Sequence, residues 1–265
     1  MKAVWINDIH LEFLEDVEVQ DFFGRLRNSG ADCVLLAGDI AQAQTVEDYL
    51  VRMEHALECP IYFVLGNHDF YHGSIAKVRS RITSLTAGSC RLRWMNAAHV
   101  VQLAEGTVLI GHDGWSDGGY GDFHGSHVKL NDFLLIKELA GLCRNDLLKA
   151  ICALGAEAAA HFRNVLPEAL SRADHVVVLT HVSPFIQSCW HDGRPSNSDW
   201  LPFFACKAVG DVLKDTMQEH PTKRMTVLCG HTHGGGSADI LPNLVVHTGP
   251  AEYGHPIIQK VFEWH

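Results

Sequence analysis

The first ninety residues alternate between two patterns of apolar and polar positions. Short, mostly apolar runs are typical of buried strands, and each precedes a stretch whose apolar residues recur at helical spacing. The apolar runs are residues 2–7, 33–37 and 61–65, and the helical stretches are residues 17–28, 46–57 and 74–85. This alternation predicts parallel strands with helices packed on the faces of their sheet.

The pattern changes after residue 90, where short strands joined by turns replace the alternation. Strands are expected at 91–94, 100–104, 108–111, 176–180, 225–229, 238–241, 244–247 and 257–262. Helices are expected at 134–142, 146–162 and 207–218. The helical segment 131–170 either caps a site or covers a sheet face. Because no repeat or linker interrupts the chain, residues 1–265 are predicted to form a single α/β domain (α+β by some schemes) with two packed mixed β-sheets.

Five of the apolar runs end in a turn that carries Asp, Asn or His. These turns are Asp8-Ile9-His10, Gly38-Asp39, Gly66-Asn67-His68-Asp69, His181 and Gly230-His231-Thr232-His233. The carboxyl ends of parallel strands meet at one edge of a sheet, where α/β proteins build their sites. We therefore expect these polar side chains to lie close together.

Composition restricts the class of partner. Asp and Glu outnumber Lys and Arg by 31 to 21, giving a formal charge of −10. A long nucleic acid is not expected as a partner, because such binding depends on Lys and Arg neutralising phosphates. No apolar run reaches the ~20 residues that span a bilayer, and the N-terminus lacks a signal-peptide pattern. Eight cysteines without a Cys-x-x-Cys pair favour free thiols, and a cytoplasmic location is expected.

The residues that we expect to converge combine carboxylate, amide oxygen and imidazole. This mixture suits Mn²⁺, Fe or Zn²⁺ better than Ca²⁺, which prefers oxygen alone. Seven candidate ligands exceed the needs of one open tetrahedral site and suit two divalent or trivalent metal ions that share a carboxylate. The candidates are Asp8, His10, Asp39, Asn67, His181, His231 and His233.

The ordered set Asp-x-His, Gly-Asp, Gly-Asn-His-Asp, His and Gly-His-x-His resembles the calcineurin-like metallophosphoesterases, and it extends from Asp8 to His233. The resemblance implies a metallo-dependent phosphatase-like fold, which is a four-layer sandwich of two mixed β-sheets flanked by helices. It also implies that a hydroxide bridging two metal ions attacks the phosphorus atom of a phosphate ester.

The resemblance also implies a role for each site residue. One metal would be held by Asp8, His10, Asp39 and His233. The second would be held by Asp39, Asn67, His181 and His231, so that Asp39 bridges the two. His68 is similar to the family histidine that contacts the substrate phosphate, with help from Asn67, and protonates the leaving oxygen. Asp69 would orient the His68 imidazole.

Two features depart from the family pattern. Asn7 stands where a serine is common before the first Asp, at a position that is not a ligand. The run 107–110 is followed by Gly111, His112 and Asp113, which mimics a sixth ligand turn. The family pattern assigns no metal there, so we expect His112 to have a structural or substrate-side role.

These observations predict a metal-dependent phosphoesterase that acts on a small phosphate ester, with a phosphodiester favoured. A nucleotide-type pyrophosphohydrolase, a protein phosphatase and a non-catalytic binding module on the same scaffold are the alternatives. A barrel amidohydrolase fits poorly, since it would need an early His-x-His and eight strand-helix units. Five residues of the long loops could stack a base or hold a phosphate, and ordinary loop packing is the alternative explanation for each of them. They are Tyr120, Phe123, Trp190, Arg194 and Trp200.

Overall fold

The computed structural model describes residues 1–191 and 193–264. The strands are β1 (Lys2–Ile6), β2 (Cys33–Ala37), β3 (Ile61–Val64), β4 (Leu92–Trp94), β5 (Val101–Ala104), β6 (Thr107–His112), β7 (His175–Thr180), β8 (Trp190–His191), β9 (Arg194–Pro195), β10 (Arg224–Cys229), β11 (Gly236–Leu241), β12 (Leu244–Thr248) and β13 (Lys260–Glu263). The helices are α1 (Asp16–Asn28), α2 (Val46–Ala56), α3 (Ile75–Gly88), α4 (Asp132–Leu135), α5 (Arg144–Arg172), α6 (Leu201–Phe204) and α7 (Lys207–Glu219).

The strands form two mixed sheets and one small hairpin. The first sheet has the order β13-β1-β2-β3-β4, in which β1 to β4 are parallel and β13 is antiparallel to β1. The second sheet has the order β11-β12-β10-β7-β6-β5, with a parallel centre and an antiparallel strand at each edge. The hairpin pairs β8 with β9. The predicted parallel arrangement of the first strands is therefore confirmed.

Alternation of side chains along the central strands produces four layers. In β1, Val4 and Ile6 face a core shared with α1, α2 and α3, whereas Ala3 and Trp5 belong to the core between the two sheets. The outer face of the second sheet is covered by α5 and α7. Both faces of each central strand are buried, which explains why these runs are almost continuously apolar in the sequence. The predicted sandwich of two mixed sheets flanked by helices is confirmed.

The segment 131–170 differs from its predicted form. In place of a helix at 134–142 there is the four-residue α4, because Ile136 forms a β-bridge with Gly73 and Lys137 N–H donates to the Gly73 carbonyl oxygen at 3.0 Å. The next helix, α5, is 29 residues long and continues past Pro167. From Ala158 onwards its buried side chains pack on the outer face of the second sheet, whereas Leu147 and Ile151 belong to the first core. Most of α5 therefore covers a sheet face.

The turn after β6 forms a buried polar junction. Asp113 is 1% exposed, and its Oδ1 accepts hydrogen bonds from the Leu65 N–H and the Trp94 Nε1–H, each at 2.8 Å. Its Oδ2 accepts from Asn96 Nδ2 at 3.0 Å and from Arg79 Nε at 3.2 Å. This carboxylate therefore connects the end of β3, the end of β4 and α3.

Across the described residues, no helix has both the length and the apolar character that crossing a bilayer requires. All eight cysteines are free thiols. Four of them are buried, namely Cys33, Cys189, Cys206 and Cys229.

Replacing Asp113 tests the importance of this junction for stability. In Asp113→Ala, four donors lose their acceptor, including the charged Arg79, and we expect the free energy of unfolding to fall by about 3 kcal/mol. Urea denaturation followed by circular dichroism measures the change. The control Asp215→Ala, on the exposed side of α7, should stay within about 0.5 kcal/mol of the wild type. A loss below about 1 kcal/mol for Asp113→Ala would contradict the structural role.

Candidate metal centre

Five loops carry the predicted ligands to the same edge of the two sheets. These loops follow β1, β2, β3, β7 and β10. Backbone hydrogen bonds connect neighbouring loops: the Asp8 N–H donates to the Gly38 carbonyl oxygen at 3.0 Å, and the Gly230 N–H donates to the His181 carbonyl oxygen at 2.9 Å. Each of these bonds joins the loops of two adjacent parallel strands, as expected from the order of the ligand turns.

Five of the seven predicted ligands have a left-handed backbone. The φ angles are 47° at Asp8, 40° at His10, 50° at Asp39, 74° at His231 and 56° at His233. A residue other than glycine is uncommon in this region, and adopting it costs about 1 kcal/mol or more. Strain of this kind persists where the surroundings fix it, and it concentrates at functional sites. The backbone therefore supports a functional assignment for these turns.

Two glycines make room for the carboxylates. A Cβ atom on Gly66 would overlap Oδ1 of Asp39, and a Cβ atom on Gly230 would overlap Oδ2 of Asp8. Gly66 and Gly230 are therefore required, because another loop approaches the backbone closely at each of these positions.

The first group of predicted ligands consists of Asp8, His10, Asp39 and His233. One ligand atom from each of these four residues lies within 4.8 Å of the others. The Nε2 atoms of His10 and His233 are 3.1 Å apart. Nε2 of His233 lies 3.7 Å from Oδ1 of Asp8, and Nε2 of His10 lies 3.8 Å from Oδ2 of Asp39. The donor atoms therefore surround one small volume.

The second group meets at the side-chain oxygen of Asn67. Oδ1 of Asn67 lies 3.0 Å from Nε2 of His181 and 2.9 Å from Nδ1 of His231. The opposite nitrogen of each ring faces a backbone carbonyl oxygen: Nδ1 of His181 is 2.8 Å from Ala37 O, and Nε2 of His231 is 3.1 Å from Phe203 O. Carbonyl and amide oxygens can only accept hydrogen bonds, so each ring lies between two acceptors, and a single imidazole proton can serve only one of them. The Asn67 oxygen and the two ring nitrogens beside it therefore form a compact set of potential metal donors.

Asp39 faces both groups. Its Oδ1 lies 3.4 Å from Nε2 of His181, while its Oδ2 is the atom directed towards His10. The His68 N–H also donates to Oδ1 at 2.9 Å, which fixes the carboxylate. This position between the two groups is the one expected of a shared ligand.

The electrostatics of the metal-free cluster favour a cation. Burial raises the pKa of Asp8, and burial together with Asp8 and Asp69 raises the pKa of Asp39 well above its usual value. Burial lowers the pKa of His181 well below its usual value, and burial together with His10 lowers the pKa of His233 to about 3. These two histidines are therefore neutral near pH 7, with free lone pairs. Cations placed among these atoms would offset both the desolvation of the carboxylates and the repulsion between acceptors.

The Asn67 amide is oriented by two residues that were not predicted from the sequence. Its Nδ2 donates to Oδ1 of Asp132 at 2.9 Å and lies 3.2 Å from the Tyr71 hydroxyl, which donates to the same carboxylate oxygen at 2.7 Å. Asp132 is 4% exposed, and it belongs to α4. With Nδ2 held in this way, Oδ1 must face His181 and His231. Asp132 follows no strand and belongs to no motif, so the residue pattern carries no signal for it.

His68 lies against the first group of ligands. The His68 imidazole stacks on Tyr71 with ring centroids 4.2 Å apart, and its centroid is 4.6 Å from that of His10. Burial and the neighbouring histidines His10, His233 and His231 lower the pKa of His68 to about 2, so the ring is neutral near pH 7. Nδ1 of His68 is buried and has no hydrogen-bond partner among the described residues.

Asp69 organises the backbone of two ligand loops, and its expected role in orienting His68 stays a prediction. Its Oδ1 accepts from the N–H groups of Ile40 and Ala41 at 3.0 and 2.9 Å, and its Oδ2 accepts from the Gly66 N–H at 2.8 Å. Burial raises the pKa of this carboxyl group, and the backbone donors oppose that rise. The three bonds use both oxygens, so the carboxylate positions the turns that carry Asp39 and Asn67.

A cavity of about 290 Å³ opens beside the two groups. Asp39, Asn67, His231 and His233 line it together with His68. Among the described lining residues, Lys129 is the one lysine or arginine, and its side chain is exposed.

The aromatic part of the cavity wall comes from residues other than the five loop candidates. It consists of Tyr71, Phe204 and Tyr253, with His191 beside Phe204. The five loop residues considered for stacking and phosphate binding do not line this cavity. Of these, Phe123 is buried in the first core and Tyr120 is partly buried against it, so loop packing accounts for both.

His112 is also absent from the cavity wall. Its Nδ1 accepts a hydrogen bond from the Gly114 N–H at 3.0 Å, and its Nε2 lies 3.7 Å from Oε1 of Glu157 in α5. Of the two roles expected for His112, structural or substrate-side, this position fits the structural one.

This chain belongs to the calcineurin-like phosphoesterase family, whose sequence model matches residues 1–235. Three solved structures share the fold at low sequence identity. Phosphopantetheinyl hydrolase from Mycobacterium tuberculosis superposes with a TM-score of 0.68 at 14% identity, covering 95% of this chain and 89% of that one. A dimetal phosphatase from Danio rerio gives 0.59 at 14% identity, covering 94% and 87%. The protein TT1561 of Thermus thermophilus gives 0.53 at 12% identity, covering 94% and 88%. No curated protein matches the sequence.

The Asp132 contact predicts an effect on metal binding. In Asp132→Ala, the Asn67 amide loses the acceptor that fixes its orientation, and we expect Mn²⁺ affinity at the second group to fall about 10- to 100-fold. Isothermal titration calorimetry of metal-free protein measures the affinity and the number of ions bound. Asp211→Ala, which removes an exposed carboxylate on α7, is the matched control and should bind Mn²⁺ like the wild type. Unchanged binding by Asp132→Ala would contradict the orienting role.

Proposed function

We propose that this protein is a metal-dependent phosphoesterase that hydrolyses a small phosphate ester, with a phosphodiester favoured. One observation carries the proposal: Nε2 of His181 and Nδ1 of His231 lie 3.0 and 2.9 Å from the Asn67 oxygen, next to a group of four further ligands. A buried cluster of carboxylate, amide and imidazole donors is a favourable place for cations. Family membership supplies the reaction class.

The proposed ligands divide between two cations. Asp8, His10, Asp39 and His233 would hold one, and Asp39, Asn67, His181 and His231 would hold the other. The mixture of carboxylate, amide and imidazole donors suits Mn, Fe or Zn. When bound, such a pair supplies Lewis-acid polarisation of the phosphoryl oxygens and acidifies an attacking water.

The remaining polar residues of the cavity bind and position the substrate. His68 lies against the first group of ligands, where its imidazole N–H can donate to a phosphate oxygen or to the departing oxygen. Lys129 brings the positive charge of an exposed side chain to the cavity wall. In a chain of net charge −10, this local cation favours entry of a phosphate anion.

The size of the cavity and the charge of the protein support a small substrate. A volume of about 290 Å³ accommodates a small ester, since pockets for small molecules span roughly 300–1,000 Å³. The acidic composition disfavours a long nucleic acid. Eight free thiols are usual in a reducing compartment, which favours the cytoplasm.

Removing the shared carboxylate tests the metal-dependent reaction. In Asp39→Asn, loss of one negative charge from both groups should lower the hydrolysis of bis-p-nitrophenyl phosphate with Mn²⁺ by about 100-fold or more, since loss of a ligand exceeds the effect of an outer contact. Mass spectrometry should find fewer metal ions per chain than in the wild type. Asp48→Asn, at an exposed position of α2 that belongs to neither ligand group, serves as control. Near-normal turnover by Asp39→Asn would overturn the shared-ligand assignment.

Replacing His68 separates phosphate positioning from proton donation. We expect His68→Ala to keep its metal content and to lose about 100-fold in kcat, because removing one hydrogen-bond donor to an oxygen that gains charge in the transition state costs about that much. If His68 protonates the leaving oxygen, the loss is larger for methyl esters than for p-nitrophenyl esters, because nitrophenolate departs without a proton. The measurement is kcat for both ester types in both proteins. Equal losses would assign His68 to phosphate positioning alone, and no loss would remove it from the site.

A further inference from the structure

Two half-exposed aromatic rings form a continuous surface beside the metal centre. Phe13 is 52% exposed and Tyr253 is 46% exposed, and their ring centroids are 4.8 Å apart at an interplanar angle of 53°. We refer to Phe13 and Tyr253 together as the aromatic shelf. Each residue therefore leaves about half of its surface open to a further apolar contact.

The shelf directly adjoins the candidate ligands. The Tyr253 ring centroid lies 4.6 Å from that of His10, 4.9 Å from that of His233 and 6.0 Å from that of His68. The Phe13 centroid lies 6.1 Å from that of His10. An ester whose phosphate contacts these histidines therefore places its organic group within reach of the shelf.

Backbone hydrogen bonds attach both parts of the shelf to the ligand loops. The Phe13 N–H donates to the carbonyl oxygen of His10 at 3.0 Å. On the other side, the Ala251 N–H donates to the carbonyl oxygen of His233 at 3.2 Å, and the Gln259 N–H donates to the carbonyl oxygen of Trp5 at 2.9 Å. The shelf is thus part of the framework of the site and is not carried by an independent segment.

Tyr253 lies in the segment between β12 and β13, after residue 235, where the match to the family model ends. Its ring contacts are with Phe13 and with the histidines of the site, and about half of the residue stays open. Packing in a core therefore does not account for an open aromatic ring at this place.

We propose that the aromatic shelf binds a planar organic group of the substrate, so that the enzyme prefers aryl or nucleobase-bearing phosphate esters to alkyl esters. This proposal rests on the proposed function for the phosphate end of the substrate. Offset or edge contacts between aromatic rings are favourable beyond the area that they bury. Stacking of a nucleobase on an aromatic side chain is a recurrent mode of recognition, and it tolerates different bases because every base has a π-face.

Two phosphonates that differ only in their organic group test the shelf without turnover. The Mn²⁺-loaded wild type should bind phenylphosphonate about tenfold more tightly than methylphosphonate in calorimetric titrations. In Tyr253→Ala the ratio of the two affinities should fall to about twofold or less, and this ratio is the readout whatever the change in methylphosphonate affinity. Tyr253→Phe should keep the preference, and Phe13→Ala should reduce it in part. Ile257→Ala removes an exposed side chain that does not line the cavity, and it is the control.

The outcomes separate this proposal from the proposed function. An equal preference in the wild type and Tyr253→Ala, or no preference in the wild type, would overturn the shelf even if esters are hydrolysed. Absence of hydrolysis by the Mn²⁺-loaded wild type would overturn the proposed function, whereas a phenyl preference that depends on Tyr253 would still support the shelf. Metal content, measured for every variant, must match the wild type for the comparison to count.

Discussion

The site depends on the arrangement of acceptor atoms around the Asn67 oxygen. Nε2 of His181 and Nδ1 of His231 face this oxygen, while the other nitrogen of each ring faces a backbone carbonyl oxygen. These electron-rich atoms crowd into one small volume, and buried carboxylates nearby add a desolvation cost. Cations resolve both problems at once. The remaining structure of the site can be understood as the means of holding this unfavourable set of groups in place.

The fold holds these groups through contacts made by the backbone as much as by the ligands. Asp69 accepts three N–H groups from two ligand loops, and five ligand residues adopt a left-handed backbone. Asp132 and Tyr71 fix the amide of Asn67 from the side away from the ligands. Such preorganisation matters in phosphoryl transfer, where catalysis depends on positioning and electrostatics. The edge of two packed sheets can supply it, since each strand ends against a buried core.

Many of these features could be predicted from residue order alone. The alternation of apolar runs and helical stretches indicated parallel strands, and their polar ends indicated that Asp8, Asp39 and His181 would meet. The prediction failed where local sequence competed with tertiary contacts. Residues 134–142 have helical spacing, yet Ile136 pairs with Gly73 and ends α4 after one turn. The hydrogen bonds of Asp69 were likewise not predictable, because its carboxylate accepts from backbone N–H groups of two ligand loops that are distant along the chain.

The sequence by itself determined the class of fold, the family and the set of side chains available for metal binding, because strand periodicity and turn composition are local properties. Only the tertiary structure decided which nitrogen of each histidine faces the cluster, which residue orients Asn67, and that Tyr253 stands beside His10. Those relations join residues that are distant along the chain, and the hydrogen bonds and ring contacts that fix them exist only once both sheets have packed.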